Sequence, residues 1–521
     1  MSRANKLIGT TLILIIVTLF TKLIGFVREI FIAAKFGATE AADIFVAVQT
    51  IPMLILSVMS GAIAAVLIPM IVKLRNEDES LRLKQLLHSV FSITSVSMLL
   101  LSVLAFIFIK PLVNVYVFGF DEAAKAHTVE LFQIIIPAFV VIGLISLTTS
   151  VLNAYNIFIL PSLGPALYSI GVITGLLFFS ERFGVKSLII GYAIAITLQL
   201  IILLVIIFKQ GLRFRLRIHV NADLKRFGYL LFPFAFSIGV FQLNAVVDKM
   251  MASTLSEGSL AALNYAYKVT QLPIALFVGT LVLPLFPLIA DSISRKDISD
   301  AKLILRRSNR LLAMLLLPIM GLFTVMAEPI IAIIFQRGAF DENALRMTSL
   351  SLIFYTLTIL PFAMRDIVTR VLYALQDTWT PVINSVFIVA VNLLLMIIFV
   401  PKLGIIAVAG STSISALLGY LRLRYKLVKK IGPLTEQELN FNNIWLRIII
   451  NAIIFTLASW LFYQGLKIIW PAPLGIDLWL RTIISVVVAG IIYLVLIFRL
   501  DTEEVVWLKT RLHKLLSLKS E

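Results

Sequence analysis

The chain has 521 residues, of which 60% are hydrophobic and only 14% charged, and its mean hydropathy is +1.02. Soluble globular domains run at ~45–50% apolar and ~25% charged residues, so that class is excluded. The absence of cysteine excludes disulfides, thiolate nucleophiles and cysteine-based metal sites. A net charge of +17 would suggest nucleic acid in a soluble protein, so the placement of the charges decides what it means.

The N-terminal stretch MSRANKLIGTTLILIIVTLF mimics a signal peptide, with Arg3 and Lys6 ahead of an apolar run. That run is long and no small-x-small cleavage site ends it, so it reads as a retained first helix. Apolar runs of about 20 residues, enough to cross ~30 Å of hydrocarbon, then recur along the chain. The short alternating segments of a membrane β-barrel are absent. Fourteen spans are expected, near 7–34, 40–72, 84–110, 125–152, 160–180, 186–208, 226–252, 263–290, 308–327, 345–374, 380–400, 404–424, 445–466 and 480–499.

Most of the 45 Lys and Arg residues lie at the termini and in alternate connections: 73–84, 209–226, 295–310 and 422–430. The positive-inside rule therefore places both termini in the cytoplasm, which requires an even number of spans. The excess charge is then topology and contact with anionic lipid, and nucleic acid is not an expected partner. Beyond Leu500, Val505, Leu508, Leu512 and Leu515 share one helical face, with acids at its start and bases near its end. This pattern predicts an interfacial cytoplasmic helix over 501–521.

Self-comparison exposes an internal repeat. VREIFIAAKFGATEAADIFVAVQTIP (27–52) resembles VDKMMASTLSEGSLAALNYAYKVTQLP (247–273), and LNAYNIFILP (152–161) matches LYALQDTWTP (372–381) at the same offset of 220. The fold expected is all-α: a polytopic membrane protein of 14 transmembrane helices, built as two parallel six-helix lobes plus two C-terminal helices. The boundaries are 1–222, 223–432 and 433–500. Transporters of this build hold their site between the halves and rock one against the other.

Charges inside spans form three groups. A charge at the bilayer centre costs roughly 2.5–3.5 kcal/mol, so such residues normally face protein or a water-filled cavity. In the first span, Lys22, Gly25, Arg28 and Glu29 fall within about a third of the helix circumference. They face a cavity, or they snorkel if the span ends near Phe26. Asn244 with Asp248, and Asn264 with Lys268 and Gln271, form polar stripes on spans seven and eight, as a site or as a structural seam. In MRDIVTRVLYALQD, Asp366, Arg370, Tyr373 and Asp377 share a face, with Arg365 adjacent. Asp366–Arg370 also fits an internal i,i+4 pair, and Asp377 a helix cap.

His88, His127, His219 and His513 are scattered, without metal-ligand spacing, and no GxxxxGK[ST] loop exists for ATP. Basic residues in an apolar bundle suit phosphate or diphosphate, and buried carboxylates suit Na⁺ or H⁺. The pattern is that of a secondary transporter with an anionic substrate, not an enzyme.

TKLIGFVREIFIAAKFGATEAADIFVA resembles the opening signature of the lipid II flippase family (MurJ, or MviN) of the multidrug/oligosaccharidyl-lipid/polysaccharide exporter superfamily. LNAYNIFILPSLGPAL, IFQRGAFDENAL and RVLYALQDTWTPV follow that family's pattern in order. The resemblance implies a fourteen-helix fold in the bacterial cytoplasmic membrane. It also implies translocation of an undecaprenyl-diphosphate-linked peptidoglycan precursor, with membrane lipids and cell-wall synthesis proteins as further partners. Helices 13 and 14 would hold the lipid tail. Lys22, Arg28, Glu29, Asp43, Lys268 and Arg370 would bind the headgroup, while Asp248 and Asp377 would serve a coupling cation, Na⁺ or H⁺.

One departure bears on the cargo. Family members usually read P-N-L-L-R-R-L-F-A-E-G in helix 2, where this chain reads IPMLILSVMSGA. A less cationic cavity is implied. Another lipid-linked glycan, of capsule or teichuronic type, and a small-molecule cation-coupled antiporter both stay open as alternatives.

Overall fold

A computed structural model describes residues 3–212, 214–433, 443–471 and 475–500, and all regular structure among them is helical. The predicted interfacial helix at 501–521 lies outside the described residues. In chain order the helices are α1 (Arg3–Phe36), α2 (Glu40–Asn76), α3 (Ser80–Ile107), α4 (Ile109–Tyr116) and α5 (Glu122–Ile135). Next come α6 (Ala138–Ala154), α7 (Ile159–Ser162), α8 (Gly164–Phe183), α9 (Lys186–Lys209) and α10 (Ala222–Ala252). There follow α11 (Ser259–Pro273), α12 (Gly279–Ser294), α13 (Ile298–Val325), α14 (Ala327–Phe335) and α15 (Glu342–Thr356). The last five are α16 (Ile359–Ala374), α17 (Trp379–Leu403), α18 (Ile405–Ile431), α19 (Asn443–Ile469) and α20 (Ile476–Phe498).

Among the described residues, eleven helical stretches are long and apolar enough to cross a membrane; α5 and α6, bent by 47°, make a twelfth if taken as one span. The other two expected spans, 7–34 and 263–290, fall on α1 and on α11 with α12, where not every side chain is described. The α5–α6 bend falls at Pro137, which has no N–H to continue the ladder. The Ile136 carbonyl beside it accepts a hydrogen bond from Ser102 Oγ at 3.1 Å. Pro273 has a similar effect at the end of α11, where one π-helical turn (Ile274–Val278) carries the chain into α12.

The repeat seen in sequence recurs in local conformation. Asp121 and Asp341, 220 residues apart, each accept a hydrogen bond at 2.7 Å from the amide three residues on, starting α5 and α15. Asn156 (φ 61°) and Gln376 (φ 60°) end α6 and α16 in the left-handed region. Gly184 (φ 54°) and Gly404 (φ 56°) then end α8 and α17. Caps and stops at a fixed offset require the same order of turns in both copies.

The chain packs as two compact units. The first holds Met1–Asn264 together with Arg337–Ala344, and the second holds Tyr265–Gln336 and the described residues from Leu345 on. In the first, α2 is the central helix, packed on α6 and α10, while α1 lies along α8. In the second, Leu312 and Leu316 of α13, Ile367 of α16, Leu423 of α18 and Ile448 of α19 share one core. The α19–α20 hairpin is fastened to α13 by Tyr493, whose hydroxyl donates to the Met314 carbonyl at 2.5 Å.

The α1–α2 turn and the 337–340 loop, both in the first unit, interlock through their backbones. The Ala339 N–H donates to Ala34 O at 2.8 Å. Gly37 and Gly338 both have φ near +60°, and a Cβ on either would collide with a backbone oxygen, that of Ala339 or of Ala34 respectively. Gly338→Ala should therefore destabilise the protein by at least about 1–2 kcal/mol, from left-handed strain alone. Thermal unfolding of the purified protein checks this; an unchanged midpoint would mean that the loop yields without cost.

Candidate functional site

Arg28 sits in the last third of α1, where the lipid-compatible residues Leu23, Val27 and Phe31 are exposed, whereas Arg28 and Glu29 are only 3% and 1% exposed. The snorkelling alternative fails on that burial. Arg28 Nη2 donates to Glu29 Oε1, and the other Glu29 oxygen accepts from Asn264 Nδ2 of α11 at 3.2 Å. The Arg28 guanidinium lies 5.5 Å from the centroid of the Tyr168 ring, close enough for cation–π attraction. Arg28 Nε and Nη1 are buried without an acceptor at hydrogen-bonding geometry. Tyr168 packs edge-on against Tyr192, whose hydroxyl is buried and equally without a partner.

An unsatisfied buried donor costs ~1–3 kcal/mol, and more when charged. The site therefore carries unused donor capacity of the type that an anion takes up. Tyr168 and Tyr192 escape a reading of the sequence by charge. Their signal is a pair of polar aromatics in otherwise aliphatic spans, which burial alone turns into neighbours of Arg28.

Asp43 is also buried, at 4% exposure, but its carboxylate is differently occupied. Oδ2 accepts from Gly258 N at 2.7 Å and Oδ1 from Ala261 N at 2.6 Å, so both oxygens cap the first turn of α11. In the reverse direction, Glu257 Oε1 accepts from Glu40 N at 3.0 Å and caps α2, whose own N-cap Thr39 supplies no side-chain bond. The two helices, 215 residues apart in sequence, cap each other. Carboxylates at helix N-termini are favoured by the dipole as well.

The other expected site residues are distributed as follows. Lys22 is exposed on α1. Asp248 is half-buried on α10 in the first unit, and Lys268 half-buried on α11 in the second. Arg370 is paired along its own helix, Nε to Asp366 Oδ2 at 3.0 Å. Asp377 follows α16, where Lys430 Nζ approaches Oδ2 at 2.6 Å and the Thr380 amide donates to Oδ1 at 2.9 Å. Partial burial pushes the Asp377 carboxyl up, but the hydrogen bonds from Lys430 and Thr380 outweigh it and hold the group at about 2. The structure thus joins Arg28, Glu29 and Asn264, gives Asp43 a capping role, and leaves Arg370 and Asp377 with partners of their own. Where the family pattern of helix 2 has charges, Ser57 accepts a 2.5 Å hydrogen bond from Gln242 of α10, and Gly61 leaves room for Ile238.

The family model described as lipid II flippase MurJ matches residues 32–476. A probable lipid II flippase MurJ of Buchnera aphidicola (subsp. Acyrthosiphon pisum) is 26% identical over 489 residues, covering 92% of this chain and 94% of that protein. The lipid II flippase MurJ of Burkholderia cenocepacia is 26% identical over 424 residues, covering 79% and 82%. Among solved structures, lipid II flippase MurJ in an inward closed conformation superposes with a TM-score of 0.80 at 26% identity, covering 94% of this chain and 98% of the other. An inward-facing multidrug-resistance MATE transporter shares the fold at 12% identity, with a TM-score of 0.68. Since the family model spans most of its length, the chain belongs to the lipid II flippase MurJ family.

Proposed function

We propose that this chain carries lipid II across the bacterial inner membrane as a secondary transporter, by alternating access, with both termini in the cytoplasm. The observation that carries the reading is the buried Arg28, with two guanidinium nitrogens lacking an acceptor beside Tyr168. A diphosphate supplies the acceptors that the protein withholds, through charge-assisted hydrogen bonds. Glu29 and Asn264 orient the guanidinium, and Lys22, on the same helix as Arg28, adds positive charge for the headgroup.

Asp43 and Glu257 act structurally, as mutual caps that hold the starts of α2 and α11 together. Arg370 pairs with Asp366 and Asp377 with Lys430; Asp248, a carboxylate on the largely apolar α10, is the position proposed for a coupling cation, Na⁺ or H⁺. With its carboxyl held at about 2 in the folded state against 3.8 unperturbed, Asp377 contributes stability above the unperturbed value and loses it as pH falls towards 2. Asp377→Asn should thus leave the pH profile of transport unchanged between about pH 5 and 8. A profile that moves in that range would return Asp377 to the coupling machinery.

The deciding experiment is flipping in proteoliposomes, with lipid II compared against other undecaprenyl-diphosphate glycans and a small organic cation. Transport of lipid II above the others supports the reading. Preference for another glycan, or for the cation, refutes it and points to the charge-poor helix 2 as the cause.

A further inference from the structure

At the end of the first unit where α2 stops at Asn76, α3 begins at Ser80 and α10 begins at Ala222, the three helices enclose a cavity of about 210 Å³. One wall is apolar, with Leu230 and Phe234 of α10; the mouth is lined by Lys73, Arg82 and Arg226 and by the acid Asp223, with Glu79 3.6 Å from Arg82 at its rim. The cations are not equivalent. Arg82 is committed to Asp223 through a two-pronged contact, Nε–Oδ2 3.0 Å and Nη2–Oδ1 2.9 Å. Lys73 has Glu77 at 3.7 Å, in water-exposed surroundings that screen the pair. Arg226 is exposed and has no carboxylate within ion-pair distance among the described residues.

The segment that leads into α10 gives a second, independent observation. It is non-helical, yet it is fixed along α3: the His219 amide donates to Ser89 Oγ at 2.8 Å, and Phe214 stacks on Phe91 with ring centroids 4.7 Å apart. From this fixed strip Leu216, Ile218 and Val220 project, at 72%, 54% and 75% exposure, alternating with the exposed Arg215 and Arg217. A strip facing only water gains nothing from three bare aliphatics. One lying at the boundary of hydrocarbon and headgroups gains both from them and from the arginines between.

We propose that this corner binds an anionic phospholipid. Its headgroup phosphate sits between Arg226 and Lys73, its first acyl carbons run along Leu230 and Phe234, and the 214–220 strip rests on neighbouring lipids of the same leaflet. The phosphate recognised is that of a lipid and not a free ion, because most of the residues lining the cavity are apolar. The site is separate from Arg28 and independent of what the protein transports.

Native mass spectrometry of the full-length protein tests this, with phosphatidylglycerol and phosphatidylcholine offered in equal amounts and inorganic phosphate added as competitor. The wild type should retain phosphatidylglycerol in preference. K73Q/R226Q should retain it about 30-fold less, since each near-surface cation contributes about fivefold. Should the double variant fail to insert, R226Q alone, at an exposed side chain with no ion pair to lose, should show about a fivefold loss. Equal retention of the two lipids, undiminished retention in the variants, or displacement by inorganic phosphate would each overturn the proposal.

Discussion

Replacing Arg28 by alanine is expected to abolish rescue of a bacterium depleted of its own lipid II flippase. Two effects combine in that loss and need to be separated. Removing the guanidinium takes away the donors assigned to the diphosphate, and it also takes the ion-pair partner from the Glu29 carboxylate, which is 1% exposed. Breaking a buried ion pair from one side costs about 3–5 kcal/mol, enough by itself to lower the amount of folded protein. The variant that separates them is R28A/E29Q, in which no charge is left unpaired. It should regain normal abundance and thermal stability while still failing to flip lipid II. Arg28→Lys keeps the charge but not the planar fork, so partial activity is expected. Full rescue by R28A/E29Q, at normal protein levels, would remove Arg28 from the substrate site.

Asp43→Ala is the second change with a large expected effect, and here the damage is to the joint between α2 and α11. Two hydrogen bonds from backbone amides to a charged acceptor disappear together, those from Gly258 and Ala261. Bonds of this kind contribute ~1.5–3 kcal/mol each, so a loss of about 3 kcal/mol or more is expected. Asp43→Asn keeps one carbonyl oxygen as acceptor and should fall between the two. The chain has no cysteine, so Ser259→Cys, at a position 1% exposed, gives a single thiol at the first residue of α11. Its modification should be slow in an otherwise unaltered protein and at least about tenfold faster with Asp43→Ala, as the uncapped turn opens more often. Equal rates and an unchanged unfolding temperature would show that α11 starts without help from α2.

Much of this architecture was legible before any coordinates. Hydropathy alone marks the spans, because a helix in hydrocarbon must be apolar over about 20 residues whatever it packs against. The repeat was legible for a related reason: Asp121 and Asp341, Asn156 and Gln376, and Gly184 and Gly404 occupy capping and stop positions. Such positions depend on local backbone geometry, and local geometry is written in local sequence. The intrahelical pair Asp366–Arg370 and the cap offered by Asp377 were likewise within reach of spacing rules, and both were found.

The division of labour among the buried charges was a different matter. The family resemblance put Arg28 and Asp43 in one class, as residues that would bind the headgroup. Only the fold brings Asn264 to Glu29 across 235 residues and Gly258 and Ala261 to Asp43 across 215 or more, so that one carboxylate partners a buried guanidinium and the other caps a helix. No periodicity along a single helix carries that information, since the partner groups are backbone amides and a distant amide side chain. The sequence by itself determined that the chain is a helical membrane protein built twice over. The tertiary structure decided which of its buried charges have every hydrogen-bonding group satisfied and which, like Arg28, keep donors without an acceptor, because that satisfaction is a property of the neighbours that folding supplies.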